Sequence, residues 1–325
     1  SKIWVYGQYD HEVGIRTVTK PGYDASVLRL DNGKFLSIKI DGNPKQCYIN
    51  PREGAIGCFE EACRNVVCTG AKPIGMLDHL QFGNPNDPEI FWTFLESLKG
   101  LTDFAKDFEI PCVGGKVSLY NETSDGPIKP TPVIGVIGLI DKKPLKIQKI
   151  NSGDSLIMIG DTKDELGGSE YAEYIHKFIG GKCPTVNFSE SKKNMTSVLD
   201  IIENELIKSA HDCSKGGLTI AISELCMMNQ IGCNVSLEKI PGEKLDSDKI
   251  LFSESHSRYL VTFENKNLEK LEEVLKKHNV SYSLIGEFTG DSILFSSDSK
   301  PIIDLSVDKA QKTWFNSLKE MVLHA

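Results

Sequence analysis

The stretch that most constrains this chain is Gly114-Gly115-Lys116-Val117-Ser118-Leu119-Tyr120-Asn121-Glu122-Thr123, which follows the apolar residues Ile110, Pro111, Cys112 and Val113. A glycine pair at the end of a strand lets backbone N–H groups approach an anion, because no Cβ stands in the way. The residues after it crowd hydroxyl, amide and carboxylate groups where a strand would alternate with apolar side chains. Two readings follow: a phosphate-binding element, or a Gly-kinked strand ending in a polar turn.

The order of elements around this stretch is strand, helix, strand, helix, strand. Asp31-Asn32-Gly33 separates two alternating runs and predicts a hairpin, whose second strand ends at Asp41. Glu53 to Thr69 predicts an amphipathic helix stopped by Gly70. A short strand then hands over to Asp78, and Phe91, Phe94, Leu98, Leu101, Ala105 and Phe108 form the stripe of a second helix beginning near Pro88. Asp41 and Asp78 at strand ends, with the glycines, form a candidate magnesium and phosphate constellation, since Mg²⁺ takes hard oxygen ligands. Two unrelated turn acids are the alternative.

At 325 residues two cores are expected, and the short, basic, Pro-containing segment Lys142 to Ser152 divides them, giving domains at 1–148 and 149–325. In the second, His211-Asp212-Cys213-Ser214-Lys215-Gly216-Gly217-Leu218 predicts a polar loop entering a helix. His211, Asp212, Ser214, Gly216 and Gly217 form a candidate anion loop, because helix N-termini bind anions. His211 with Asp212 reads either as an acid–base pair or as a structural histidine. Ser283 to Ser297 predicts a closing hairpin through Gly290-Asp291. The polar arm Tyr9 to Val18 either lines a site or covers a surface.

A net charge of −8 argues against a nucleic-acid partner, and no window approaches the ~18 apolar residues of a membrane span. Nine cysteines without a C-x-x-C pair predict small core residues in a reducing, cytoplasmic setting rather than a metal site or disulfide scaffold.

Several longer motifs carry a resemblance. Tyr9 to Val18 resembles the YDHxVGTxTV segment of phosphoribosylformylglycinamidine synthases. Gly83-Asn84-Pro85, GGxVSLYNET, Glu165 to Tyr171, the His211 to Leu218 run and Ser253 to Arg258 resemble the same family, in the same order. That family lies in the aminoimidazole ribonucleotide synthetase superfamily, and this chain resembles its second half.

The resemblance implies an α+β fold: an A domain with a mixed or antiparallel sheet and flanking helices, which pairs with another A domain, followed by an α+β B domain. It implies ATP-dependent conversion of formylglycinamide ribonucleotide and glutamine-derived ammonia to the amidine through an iminophosphate. ATP and Mg²⁺ are the implied cofactors. The implied partners are the N-terminal half, in the same chain or as a separate subunit, with glutaminase and small accessory subunits; self-pairing of isolated A domains is a further expectation. By position, Asp78 and Gly115 are implied nucleotide contacts and Ser118 a substrate contact. Residue 116 stands where the family has a metal-binding Asn, but Lys116 offers no oxygen. Lys215 replaces the Asp of HDxSDGG, and both changes add positive charge that can stand in for a lost metal.

The proposed catalytic histidines fall in the missing half, so no catalytic residue is assigned. The chain alone is expected to be inactive, as a fragment or as one subunit of a split enzyme. Two rivals stand beside this expectation: a sister synthetase of the superfamily, and a catalytically silent nucleotide-binding half that docks a catalytic one.

Overall fold

The computed structural model describes residues 1–323. After a short helix α1 (Ile3–Tyr6), the first unit runs β1 (Thr17–Thr19), β2 (Ser26–Arg29), β3 (Phe35–Asp41), α2 (Pro44–Ile49), α3 (Pro51–Val67), β4 (Lys72–Gln81), α4 (Pro88–Phe108), β5 (Cys112–Ser118), the small pair β6 (Glu122–Thr123) and β7 (Gly126–Pro127), and β8 (Thr131–Ile140). Its six-stranded sheet has the order β1-β2-β3-β8-β4-β5. All neighbours are antiparallel except β4 and β5, so the sheet is mixed. The predicted hairpin is the β2–β3 pair.

Local chemistry sets the helix starts. Asn50 accepts from the Glu53 amide ahead of α3, and Asp87 accepts from the Glu89 and Ile90 amides ahead of α4. Pro51 and Pro88 follow these caps, where a missing N–H leaves no intrahelical bond unmade.

The strand β8 alternates strictly, burying Pro132, Ile134, Val136, Gly138 and Ile140. This row packs under α3 so closely that a Cβ on Gly138 would lie 2.3 Å from Val66 Cγ1. The opposite face stays open. Ile38 and Ile40 of β3, Leu77 of β4 and Ile137 of β8 share it by register, with Ile40 67% and Leu77 42% exposed.

The second unit runs β9 (Ser155–Ile159), α5 (Glu170–His176), α6 (Phe188–Glu203), β10 (Ser209–Asp212), α7 (Gly217–Asn229), β11 (Cys233–Ser236), α8 (Ser247–Phe252), β12 (Tyr259–Phe263), α9 (Leu268–Lys277), β13 (Tyr282–Phe288), β14 (Ser292–Ser297), β15 (Lys300–Ser306) and α10 (Val307–Leu323). Its mixed sheet has the order β10-β12-β9-β13-β11-β14-β15. The hairpin read into residues 283–297 is not formed. Strand β11 lies between β13 and β14, antiparallel to the first and parallel to the second.

Strand β9 is buried on both faces. Ile157 and Ile159 join a core with α6, α9 and the first unit's helices, while Leu156 and Met158 join a second core with α7. The first of these cores spans both units. Helix α3 lies within it and is not the amphipathic surface helix its pattern suggests: Glu60, Glu61, Arg64 and Asn65 are as buried as Phe59 and Val66. Its polar side faces the second unit.

Candidate nucleotide and substrate site

Register places the candidate residues in rows. Asp41 and Asp78 both stand opposite Ile134, and Asp78 stands opposite Gly115, so one row reads Asp41, Ile134, Asp78, Gly115 across β3, β8, β4 and β5. At the usual strand spacing the two aspartates lie roughly 10 Å apart, with the buried Ile134 between them. Asp41, Asp78 and Gly115 of the candidate constellation thus lie along one row of the sheet.

The strand runs straight through the glycine pair to Ser118 rather than ending at it. Within the sheet, Gly115 makes room for its neighbour on β4. A Cβ there would lie 2.6 Å from Asp78 Oδ1, so the Asp78 carboxylate occupies the space over residue 115. The other Asp78 oxygen accepts from the Cys112 thiol at 3.5 Å. Alternation along β5 puts Lys116 and Ser118 on the opposite side from Gly115. Lys116 stands beside His79, and Ser118 beside Gln81. The structure thus brings Asp78 and Gly115 together and separates them from Lys116 and Ser118.

The polar run after β5 is largely scaffolding. Asn121 donates to the Phe82 and Ser118 carbonyls at 2.9 Å each, tying the ends of β4 and β5 together. Glu122 accepts from the Asn84 amide at 2.7 Å. These bonds lock Gly83-Asn84-Pro85 to Ser118–Glu122, so two separate sequence motifs form one loop pair. Ser118 Oγ donates to Asn121 Oδ1 at 3.2 Å, and Tyr120, 61% exposed, has a φ of 60°. The arm from Tyr9 to Arg16 is exposed apart from the half-buried His11, with Glu12 paired to Lys20 at 2.9 Å and Arg16 to Asp31 at 3.0 Å.

The residues present do not fit a magnesium ion at 116 or at Asp41. Lys116 has no oxygen to give. The Asp41 oxygens face Lys39 at 3.7 Å and Lys215 at 3.9 Å.

His211 and Asp212 lie on β10 rather than in a loop, and reach across to the first unit. His211 Nδ1 pairs with Asp24 at 2.8 Å, and its Nε2 lies 3.4 Å from Glu224. Burial works against charge on this ring, but Asp24 and Glu224 outweigh it and raise His211 well above the ordinary histidine range. Asp24, His211 and Asp212 form a compact trio of potential ligand groups. One oxygen of each carboxylate is already engaged: Asp24 Oδ1 also accepts from the Asp212 amide at 2.9 Å, and Asp212 Oδ2 accepts from Arg64 and Asn65. Arg64 in turn pairs with Glu60, which accepts from Ser191 and Ser257 at 3.1 Å.

The Gly216 amide is also taken. Glu254 Oε1 accepts from it and from the Glu170 amide, both at 2.8 Å. Burial pushes the Glu254 carboxyl up to about 7 against those two bonds. Gly217 has a φ of 65° and packs against the carbonyl of Ser253, so the turn needs glycine for shape. Ser214, on the same loop, accepts at its carbonyl from the Gly217 amide.

Sequence reasoning missed Asp24, Lys39, Glu61, Glu224 and Glu254. Their partners lie far away in the sequence, and only tertiary packing assembles them. The YDAS step before β2 and the Glu60–Arg64 spacing on one helix are the faint signals that were present.

Comparison with known proteins adds to this geometry. Residues 22–140 match the family "AIR synthase related protein, N-terminal domain", and residues 151–297 match its C-terminal domain. The phosphoribosylformylglycinamidine synthase subunit PurL of Methanocaldococcus jannaschii is 42% identical over 332 residues, covering 99% of this chain and 45% of that protein. PurL of Alkaliphilus metalliredigens is 39% identical over 322 residues, covering 98% of this chain and 43% of that protein. The chain therefore spans less than half the length of these relatives. Among solved structures, Thermotoga maritima PurL complexed with FGAR superposes with a TM-score of 0.78 at 19% identity, over 91% of this chain and 49% of that one. The same protein complexed with ATP gives 0.74 at 19% identity, over 96% and 50%. Both domain families are matched in order, and the chain belongs to the AIR synthase related proteins, homologous along nearly its whole length to PurL subunits.

Proposed function

We propose that this chain is one half of an ATP-dependent phosphoribosylformylglycinamidine synthase. In the reaction, the amide oxygen of formylglycinamide ribonucleotide attacks the γ-phosphorus of ATP, releasing ADP and leaving an iminophosphate. Ammonia then adds to the amide carbon, and the C–O bond breaks to release phosphate and the amidine. Positioning and electrostatic stabilisation of the transferring phosphoryl group are what a protein contributes to such a step.

In this reading Asp78 and Gly115 contact the nucleotide and Ser118 contacts the ribonucleotide substrate. The observation that carries the proposal is similarity to PurL subunits along nearly the whole chain, including the β4–β5 row that presents these residues. The open apolar face around Ile40 and Leu77 receives the A domain of the other half, and that half holds the magnesium carboxylates. Glutaminase and small accessory subunits supply ammonia. The domain boundary is placed at 148/149, between the last strand of one sheet and the first of the other.

A second reading, favoured by Lys116 at the place of an oxygen donor, is a half that binds nucleotide without turning it over and docks its partner. A chimera separates the two, with this chain replacing the matched portion of the M. jannaschii subunit. Under the first reading, Ser118→Ala raises the KM for the ribonucleotide about tenfold or more while the KM for ATP holds, as expected when a buried hydrogen bond to substrate is lost. An unchanged KM contradicts the Ser118 assignment.

A further inference from the structure

The strongest concentration of buried charge lies away from the β4–β5 row, at the seam between the two units. Four carboxylates converge there: Asp24, Asp41, Glu61 and Asp212. Two of them are engaged through one oxygen each, Asp24 Oδ1 by His211 and the Asp212 amide, and Asp212 Oδ2 by Arg64 and Asn65. The other two have fewer partners. The Asp41 side chain is 9% exposed, and its own carboxylate accepts only from the adjacent Gly42 amide at 2.8 Å. Glu61 is 6% exposed and its carboxylate takes no hydrogen bond among the described residues. At Glu61 burial and the neighbouring Asp41 charge push the carboxyl well above its usual range, whereas an ionised carboxylate with so few partners draws a cation.

Lys215 supplies one. Its ammonium donates to the Gly42 carbonyl at 2.8 Å and lies 3.9 Å from Asp41 Oδ1. Lys39, which donates to Asn65 Oδ1 at 3.0 Å, faces the second Asp41 oxygen at 3.7 Å. Two carboxylates and a main-chain carbonyl are the donor set that a hard divalent cation takes. Here an ammonium stands among them, tethered to the second unit while Asp41, Gly42 and Glu61 belong to the first.

We propose that Lys215 is the resident cation of this pocket: it clamps the two units together at Asp41 and Gly42, beside Glu61, and it excludes Mg²⁺ and Mn²⁺ from oxygens that would otherwise bind them. The association of the two units is then independent of divalent metal. Because the Lys215 side chain is 40% exposed, shortening it opens no core cavity, and a carboxylate at 215 completes a metal site instead.

The purified chain with Mn²⁺ as the probe tests this, read by electron paramagnetic resonance of the free ion and by thermal unfolding in MgCl₂ or EDTA. The wild-type chain is expected to bind no Mn²⁺ that Asp41→Asn removes, and to unfold at the same temperature in both solutions. Lys215→Asp is expected to bind one Mn²⁺ at least about tenfold more tightly than wild type, with a Tm that rises with Mg²⁺ and falls in EDTA, as binding to the native state requires. Lys215→Gln is expected to lower the Tm in both solutions and to bind no Mn²⁺. Stoichiometric Mn²⁺ on the wild-type chain that Asp41→Asn abolishes would overturn the proposal. So would a folded Lys215→Asp chain with no gain in Mn²⁺ binding, or a Lys215→Asp chain that stays unfolded in Mg²⁺ beside a Lys215→Gln chain of unchanged Tm.

Discussion

Asp78 and Gly115 stand opposite each other across the parallel β4–β5 pairing, and the Asp78 carboxylate fills the space a side chain at 115 would need. A methyl group at 115 must therefore displace Asp78. Gly115→Ala is expected to weaken ATP binding in the chimeric enzyme about tenfold or more. Gly114→Ala is the internal control: its Cβ would meet only Leu77 Cδ2, at an ordinary 3.6 Å, and should leave binding intact. Equilibrium binding of ATP to both variants checks the pair.

Arg64 is fully buried between Glu60 and Asp212, one carboxylate from each unit. Removing it leaves two buried carboxylates without their cation. Arg64→Ala is expected to cost about 3–5 kcal/mol in urea unfolding, the usual penalty for breaking a buried ion pair from one side. A loss below about 1 kcal/mol would mean that water reaches the network.

Glu254 links the Gly216 turn to the start of α5, and burial raises its carboxyl from 4.5 to about 7. The folded state thus holds this proton more tightly than the unfolded chain. Its stabilising contribution is full below pH 4.5 and is lost as the pH rises through about 7. The whole effect is of order 3 kcal/mol. Glu254→Gln still accepts both amide bonds and carries no such penalty. Its stability should fall less than wild type between pH 5 and pH 8, as measured by urea unfolding across that range; parallel curves would contradict the account.

The open sheet face offers Ile40 and Leu77 to solvent beside Ile38 and Ile137. A charge there leaves the buried side of the sheet untouched. Ile40→Asp is expected to preserve the far-ultraviolet circular dichroism and Tm of the chain while abolishing its association with the other half's A domain. Light scattering after gel filtration reads that association directly.

How far the sequence carried depended on whether a signal was local. The β2–β3 hairpin and the start of α4 near Pro88 are written in consecutive residues, and both are legible. Helix α3 reads as amphipathic because Ile56, Phe59, Cys63 and Val66 recur at steps of three and four, but nothing local says that the other side meets a second unit rather than water. The hairpin expected through Gly290-Asp291 failed for a similar reason: the turn is real, while the partner of each strand is β11, more than fifty residues away. At the site, Asp78, Gly115 and Ser118 are named only through the family resemblance. Their separation onto two faces of β5, and the filling of the Asp41 pocket by Lys215 and Lys39, depend on register and on packing between units.

The central claim is that this chain supplies nucleotide and substrate contacts to an amidine-forming ligase and needs the other half to act. The most direct measurement is ADP release that depends on formylglycinamide ribonucleotide, with ammonium as the nitrogen donor, by the isolated chain and by the M. jannaschii chimera. The account predicts no turnover by the chain alone, turnover by the chimera, and loss of that turnover with Asp78→Asn. Substrate-dependent ADP release by the isolated chain, or a chimera that is indifferent to Asp78→Asn, would contradict it.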